Sequence, residues 1–359
     1  MRYNTLQATV YFIFCMMCIA SCSSGPYDDP DIDNGLAMTF DVAVETRAIT
    51  TDIDEFSIYG DSRLQSEPGD SSVIFNKTPV RKNAGVWQYD DTRYWIPNRE
   101  HSFVAVSPSS VLEREDAAPQ YSASGLSSAS GLSSASGLSF TYTMPIYSGK
   151  EMQGKQDKSE LIDIVAATHR RKYNGGDNAD AITLSFSHLL SMVNFKPMLN
   201  DNSIKDDDYI LFHKFELIGF TNKVRYTVTP KGMSTGTSTD EREIDLSYLD
   251  TDNLTIIFPQ PLRVDNGKQI SLFEEGDAIM VLPQDFDANP SAKVRFTYAF
   301  SDNPENQITG EIPLNGKMWE AGKSYTYTFT LDKIGLHLGT ATIENWTSPE
   351  MPDVSWIVE

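Results

Sequence analysis

The sequence predicts an all-β protein, and three observations carry that expectation. Apolar and polar residues alternate with a period of two in short runs, clusters of turn residues separate the runs at short intervals, and no long stretch follows the 3.6-residue period of an amphipathic helix. Such a pattern buries one face of each strand and folds as packed sheets.

The chain opens with a different kind of segment. Met1 to Ala20 holds one basic residue, Arg2, an apolar run from Ala8 through Phe14, Met16, Met17 and Ile19, and no acid. It reads as a signal peptide, since the run is too short to cross a hydrocarbon layer of about 30 Å comfortably and small residues follow it. Ile19-Ala20-Ser21-Cys22 has the order of a lipobox, so residues 1–21 are expected to be removed and the Cys22 thiol to take a diacylglycerol. Acyl chains contribute about 0.8 kcal/mol per buried CH₂, which anchors a protein without any spanning helix. The acidic run behind Cys22 resembles the signal that exports such lipoproteins to the outer surface, so the expected address is an outer-membrane lipoprotein at the cell surface. Cys15 and Cys18 lie inside the signal, which leaves the mature chain with no cysteine pair to oxidise and no cysteine-based zinc site.

The mature chain, roughly 340 residues, has the length of about two domains. Residues 22–36 read as an acidic tether carrying Asp28, Asp29, Asp31 and Asp33, residues 37–178 as an N-terminal β-sandwich domain and residues 179–359 as a C-terminal one. The 50 acidic against 29 basic residues give a net charge of −21, which argues against a nucleic-acid partner. Asp29, Asp31 and Asp33 have the spacing that opens a calcium loop, but the glycine comes at Gly35 and no glutamate closes the loop, so no metal is expected.

Strict alternation begins at Met38. Met38, Phe40, Val42 and Val44 are apolar while Thr39, Asp41 and Glu45 are polar, and the run ends at Thr46-Arg47-Ala48. Strand-like segments follow at Phe56–Tyr59, Val73–Phe75, Val86–Tyr89, Tyr94–Trp95 and Ser102–Val106, with turns expected at Pro68-Gly69-Asp70, Asn83-Ala84-Gly85 and Pro97-Asn98. Residues 122–139 repeat the hexapeptide Ser-Ala-Ser-Gly-Leu-Ser three times without error. One leucine per copy is too little for a stacked core, so the array is expected to be a flexible loop between two strands. Further strands are expected at Ser139–Met144, Leu161–Thr168, Ile182–Phe195, Leu211–Phe220, Val224–Val228, Leu254–Phe258, Ala278–Leu282, Val294–Phe300 and Tyr325–Leu331, with the domain boundary near the Asn174-Gly175-Gly176-Asp177 turn.

Catalytic signatures are weak. Gly232-Met233-Ser234-Thr235-Gly236 fits the letters of a serine-hydrolase elbow, yet Pro230-Lys231 precedes it and a polar stretch follows, where that elbow needs a strand and a helix. The five histidines, His101, His169, His188, His213 and His337, show no metal-ligand spacing, and His188 is expected to cap or pack a strand. No nucleotide fingerprint occurs and no carboxylate pair stands out. An enzyme and a cofactor are not expected.

Several segments together resemble the fimbrillin-like family, the lipoprotein subunits of type V pili in Bacteroides-type bacteria. They are the lipobox at Cys22, Thr46-Arg47-Ala48, Phe56-Ser57-Ile58-Tyr59-Gly60, Tyr94-Trp95, Phe103 to Pro108, Asp163-Ile164-Val165-Ala166, Leu184 to Ser191, Trp319 to Tyr325 and Ala341 to Trp346. The resemblance implies two transthyretin-like β-sandwich domains and assembly by donor-strand exchange with other fimbrial subunits. It places the scissile bond at Arg47-Ala48 and makes Met38 to Glu45, with Met38, Phe40, Val42 and Val44, the departing strand. Val354, Trp356 and Val358 alternate again near the C-terminus and are the candidate donor. The competing expectation is a non-polymerising surface module that binds a glycan or protein ligand, with Trp346 and Trp356 as glycan platforms, or a pilus anchor or tip subunit.

Overall fold

The computed structural model describes residues 35–44, 53–64, 66–123, 136–144, 162–176, 179–200, 208–231, 238–239, 241–272, 279–314, 316–332 and 336–345. Among them the only helical turn is a short 3-10 segment at Ser109–Glu113, and the rest of the regular structure is strand. The all-β expectation holds.

The first sheet contains β1 (Phe40–Val44), β2 (Glu55–Leu64), β3 (Glu67–Asn83), β4 (Val86–Gln88), β5 (Arg99–Ser107), β8 (Val165–Tyr173) and β9 (Ile182–His188), in the spatial order β1-β9-β8-β5-β2-β3-β4, with β12 (Ser238–Thr239) attached to β8. A third group holds β6 (Gln120–Ser122), β7 (Gly137–Thr143), β11 (Tyr209–Pro230), β16 (Lys293–Phe300) and β17 (Ile308–Pro313), with β13 (Arg242–Asp265) beside β11. In the second sheet, β10 (Ser191–Leu199), β14 (Ile279–Val281), β19 (Lys323–Leu331) and β20 (Leu336–Asn345) make four strands, and β15 (Gln284–Asp285) pairs with β18 (Met318–Trp319).

The first sheet is covered on both faces, which explains why β2 and β5 are buried at nearly every position. Phe56, Ile58, Phe103, Ala105, Val165 and Ala167 enter one apolar cluster, whereas Tyr59, Val104, Val106 and Ala166 enter a second, larger one shared with the other sheets. Burial on both faces also traps charge. Glu100 receives Arg63 through Nε at 2.9 Å and Nη2 at 2.7 Å, and Arg170 through Nε at 2.7 Å. In the sequence these residues look like ordinary solvated surface, but buried ions persist only when paired.

Three local outcomes differ from the sequence reading. Pro68-Gly69-Asp70 is not a turn but the start of β3, while Ala84 and Gly85, at φ values of 50° and 84°, make the turn into β4 as expected. The apolar run Ile182–Phe195 is broken at Leu189-Leu190, both buried, so the alternation fails there and the chain changes sheet. The Leu189 amide bonds the Ile164 carbonyl at 2.8 Å, Tyr226 donates to the Leu189 carbonyl at 2.9 Å, and the Gly322 amide donates to the Leu190 carbonyl at 2.8 Å, which together hold the corner. Two expected strands, Leu211–Phe220 and Val224–Val228, are one continuous β11. Its register slips between Leu217 and Phe220, where Gly219 takes φ 63°, so the polar Thr221-Asn222-Lys223 interruption is a bulge rather than a turn.

The glycine turn near residue 175 does not separate the sheets. β9 follows it and still joins the first sheet, because β9 is the strand against which β1 lies. Leu36, counted with the tether, also joins the fold: the Trp95 amide donates to its carbonyl at 3.0 Å. The hexapeptide array is not wholly loop either, since Ser122 belongs to β6 and Gly137, Leu138 and Ser139 belong to β7.

Candidate assembly site at the first strand

β1 stands at the edge of its sheet and pairs with β9 in parallel, with Phe40 opposite Ile182 and Val44 opposite Phe186. The residues just before it pair elsewhere. The Met38 amide donates to the Arg93 carbonyl at 2.8 Å, Ala37 bridges to Tyr94 in antiparallel sense, and the Ile182 amide donates to the Thr39 carbonyl at 2.7 Å. The segment is therefore stitched first to residues 93–95 and then to β9. Tyr94-Trp95, expected as a strand, supplies an isolated bridge instead.

Alternation along this strand is realised as read: Met38 and Phe40 are buried, Val42 is half-buried, and Thr39, Asp41 and Ala43 face outward. The Phe40 ring sits edge-on to Phe56 at 5.9 Å, Phe75 at 5.8 Å and Tyr89 at 5.5 Å between centroids. Such edge contacts place the positive ring rim against a neighbouring π face. The Tyr89 hydroxyl donates to the Met38 carbonyl at 2.8 Å, and burial pushes its pKa up, which keeps it a donor. Burying Met38 and Phe40 contributes on the order of 3–6 kcal/mol as an upper estimate.

The same aromatic cluster closes the sheet on itself. β4 lies at the opposite edge from β1, yet Trp87 packs on Phe56 at 5.2 Å and Tyr89 reaches Phe40, so both edges meet over one core. An open groove remains between them, walled by Ala37, Met38 and Thr39 on one side and by Arg81, Lys82 and Trp87 on the other.

β9 depends on β1 unequally along its length. β8 engages β9 at Val165–His188 and Ala166–Ser187, next to the buried contact of His188 Nδ1 with the Asp163 carboxylate at 2.9 Å, whereas β1 runs beside Ile182 to Phe186. Ile182, Leu184 and Phe186 are fully buried. Withdrawal of β1 would thus uncover an apolar strand along most of its length, the state that favours capture of another strand.

Of the other expected site residues, Cys22, Arg47, Ala48, Val354, Trp356 and Val358 lie outside the described residues, as do Trp346 and Gly232 to Gly236. Val44 closes the β1 register opposite Phe186. His188 packs and pairs at the end of β9 as expected, while His101 is fully buried beside Trp95 at 4.9 Å, and burial lowers its pKa to about 3. Among the described residues no cluster of three or more His, Cys, Asp or Glu could hold a metal ion. Tyr89 and residues 93–95 are part of the site that sequence reasoning did not assign to it. Their apolar run beside a turn was visible, but the fact that it meets Met38 is a long-range contact.

A family model described as fimbrillin-like matches residues 44–346. Among solved structures, a fimbrial protein from Bacteroides vulgatus ATCC 8482 shares 16% identity at a TM-score of 0.53, with 86% of this chain and 99% of that chain covered. A protein from Bacteroides uniformis ATCC 8492 named for a cell-adhesion role shares 17% identity at a TM-score of 0.45, with 87% and 99% covered. At 16% identity the likeness to the Bacteroides vulgatus protein is one of fold. None of the curated proteins matches the chain.

Proposed function

The chain belongs to the fimbrillin-like family, and on that premise we propose that it is a fimbrial structural subunit or adhesin component, exported as a lipoprotein through Cys22 and assembled by strand exchange. Proteolysis between Arg47 and Ala48 would release the lipid together with Met38 to Glu45. The groove so opened would take a strand from a neighbouring subunit, for which the alternating Val354, Trp356 and Val358 are the candidate. The observation that carries this reading is the placement of β1: an edge strand, immediately upstream of Arg47, that pairs with β9 over Ile182–Phe186 and fills an aromatic pocket with Phe40.

Digestion of the full-length protein with a trypsin-like protease tests it. The expected product begins at Ala48 and migrates as a ladder on unheated gels. An intact monomer that keeps lipidated Cys22 as its N-terminus would sink strand exchange and mark a surface-anchored binding module or an anchor subunit.

A further inference from the structure

The three hexapeptide copies span residues 122–139, but they begin and end inside a hairpin. Gln120 pairs with Ser139, Tyr121 with Leu138 and Ser122 with Gly137. The first copy therefore starts in β6 and the last copy finishes in β7. Leu138 is no loop residue: it is fully buried and pairs with Val228 of β11 on its other side. The Ser139 and Thr227 hydroxyls lie 3.0 Å apart and pin the same ladder.

Across the core, Asp61 of β2 reaches this closure from the first sheet. Tyr121 donates its hydroxyl to the Asp61 carboxylate at 2.5 Å, and Ser136 hydrogen-bonds to the same carboxylate. Ser136 also donates to the Ala123 carbonyl at 3.1 Å, which brings the two ends of the array together. Asp61 is fully buried, with Arg63 attracting its charge and Glu100 opposing it.

We propose that this closure makes the array a length-adjustable insert, in which whole hexapeptides enter or leave between Ala123 and Ser136 while β6, β7 and the Asp61 clamp keep their register. Every residue in the closure meets one of two conditions. Asp61, Gln120, Tyr121 and Phe140 lie outside the array; Ser122 and Ala123 are supplied by whichever copy is first, and Ser136, Gly137, Leu138 and Ser139 by whichever is last. Loss of any six consecutive residues from 122–139 yields one and the same chain. Closure entropy grows only with the logarithm of insert length, so added copies weaken the hairpin little.

Full-length chains with two copies (residues 124–129 deleted) and with four (one Ser-Ala-Ser-Gly-Leu-Ser inserted after Tyr121) test the inference beside the natural three. Both variants are expected to melt within about 2 °C of the parent, with amide-exchange protection at Tyr121 and Leu138 unchanged. Tyr121→Phe is expected to raise exchange at those amides by roughly tenfold at every copy number, since the clamp acts independently of length. A melting loss above about 5 °C in either length variant, a stepwise loss of protection with copy number, or no effect of Tyr121→Phe would overturn it.

Discussion

β1 and β11 are both strands of alternating apolar residues, yet one hangs on an edge and the other is gripped along both sides. β11 has β13 along its length, with β16 beside Ile210–Ile218 and β7 beside Lys223–Val228. The tip of its hairpin with β13 is tied back to the first sheet as well: Thr168 donates to the Glu241 carbonyl at 3.1 Å, Arg242 bonds the Ser187 hydroxyl, and Ser238 and Thr239 pair with Arg171 and Arg170. β1 has five parallel pairs with β9 and one buried side chain, Phe40, with Met38 buried just ahead of it. The difference teaches where the molecule can give up a strand. Removal of β11 would dismantle a whole sheet and its links, whereas removal of β1 opens one groove.

The contrast can be broken most forcefully at its strong end. Phe215, fully buried with Phe195 at 5.0 Å and Phe296 at 5.5 Å, is expected to cost about 3–5 kcal/mol as Phe215→Ala in denaturant titration, with every probe of unfolding shifting together. Phe40→Ala should cost about 3 kcal/mol, and its signature should be local: amide exchange rises across Ile182–Phe186 before the β11 amides respond. Equal acceleration in both regions would show that β1 is not separable.

A gentler test uses pH, which acts on the first sheet through two buried groups of opposite sign. Burial raises Asp61 to about 6 from its ordinary 3.8, so its protonated form is favoured in the fold; that contribution is complete below about 4 and is lost as pH rises through 6. Burial lowers His101 to about 3 from 6.5, so its contribution is present above 6.5 and is lost as pH falls toward 3. Between pH 6 and 4 the two slopes oppose one another. Asp61→Asn is therefore expected to make melting fall more steeply on acidification, by on the order of 2–3 kcal/mol over that window. A global shift would report that the tip ties couple the sheets. The smallest effect belongs to Tyr89→Phe, which removes the bond to the Met38 carbonyl and should cost about 1 kcal/mol, read as faster exchange in β1 alone.

Much of this fold was legible in local pattern. Met38 and Phe40 turn inward and Thr39 and Asp41 outward as the alternation requires, and Tyr325, Tyr327, Phe329 and Leu331 form the buried face of β19 in the same way. What stayed hidden is what depends on distant residues. Nothing near Phe40 announces that its pocket is made by Phe56, Phe75 and Tyr89, or that its strand runs parallel to one beginning at Ile182. Asp61, Arg63, Glu100 and Arg170 look like solvated charge because pattern assumes that ions face water; they sit inside because Arg63 and Arg170 pair with Glu100 while Tyr121 and Ser136 bond Asp61. Gly219 and the polar residues after it look like a turn, since a bulge and a turn share the same residues and differ only in the partner strand. The lipidation and cleavage residues rest on motif, and their positions carry no such pairing information.

The parallel sense of β1 has one more consequence, in the order of folding. A parallel partner cannot be reached through a tight turn, and here Phe40 must wait for Ile182, about 140 residues later in the chain. The strand that is synthesised first can meet residues 93–95 early, but it has no strand ladder to join until β9 has been made. The pairings of β2 with β3 and β5, and of β5 with β8, do not include it, and for that reason it is the piece that can leave with those ladders in place.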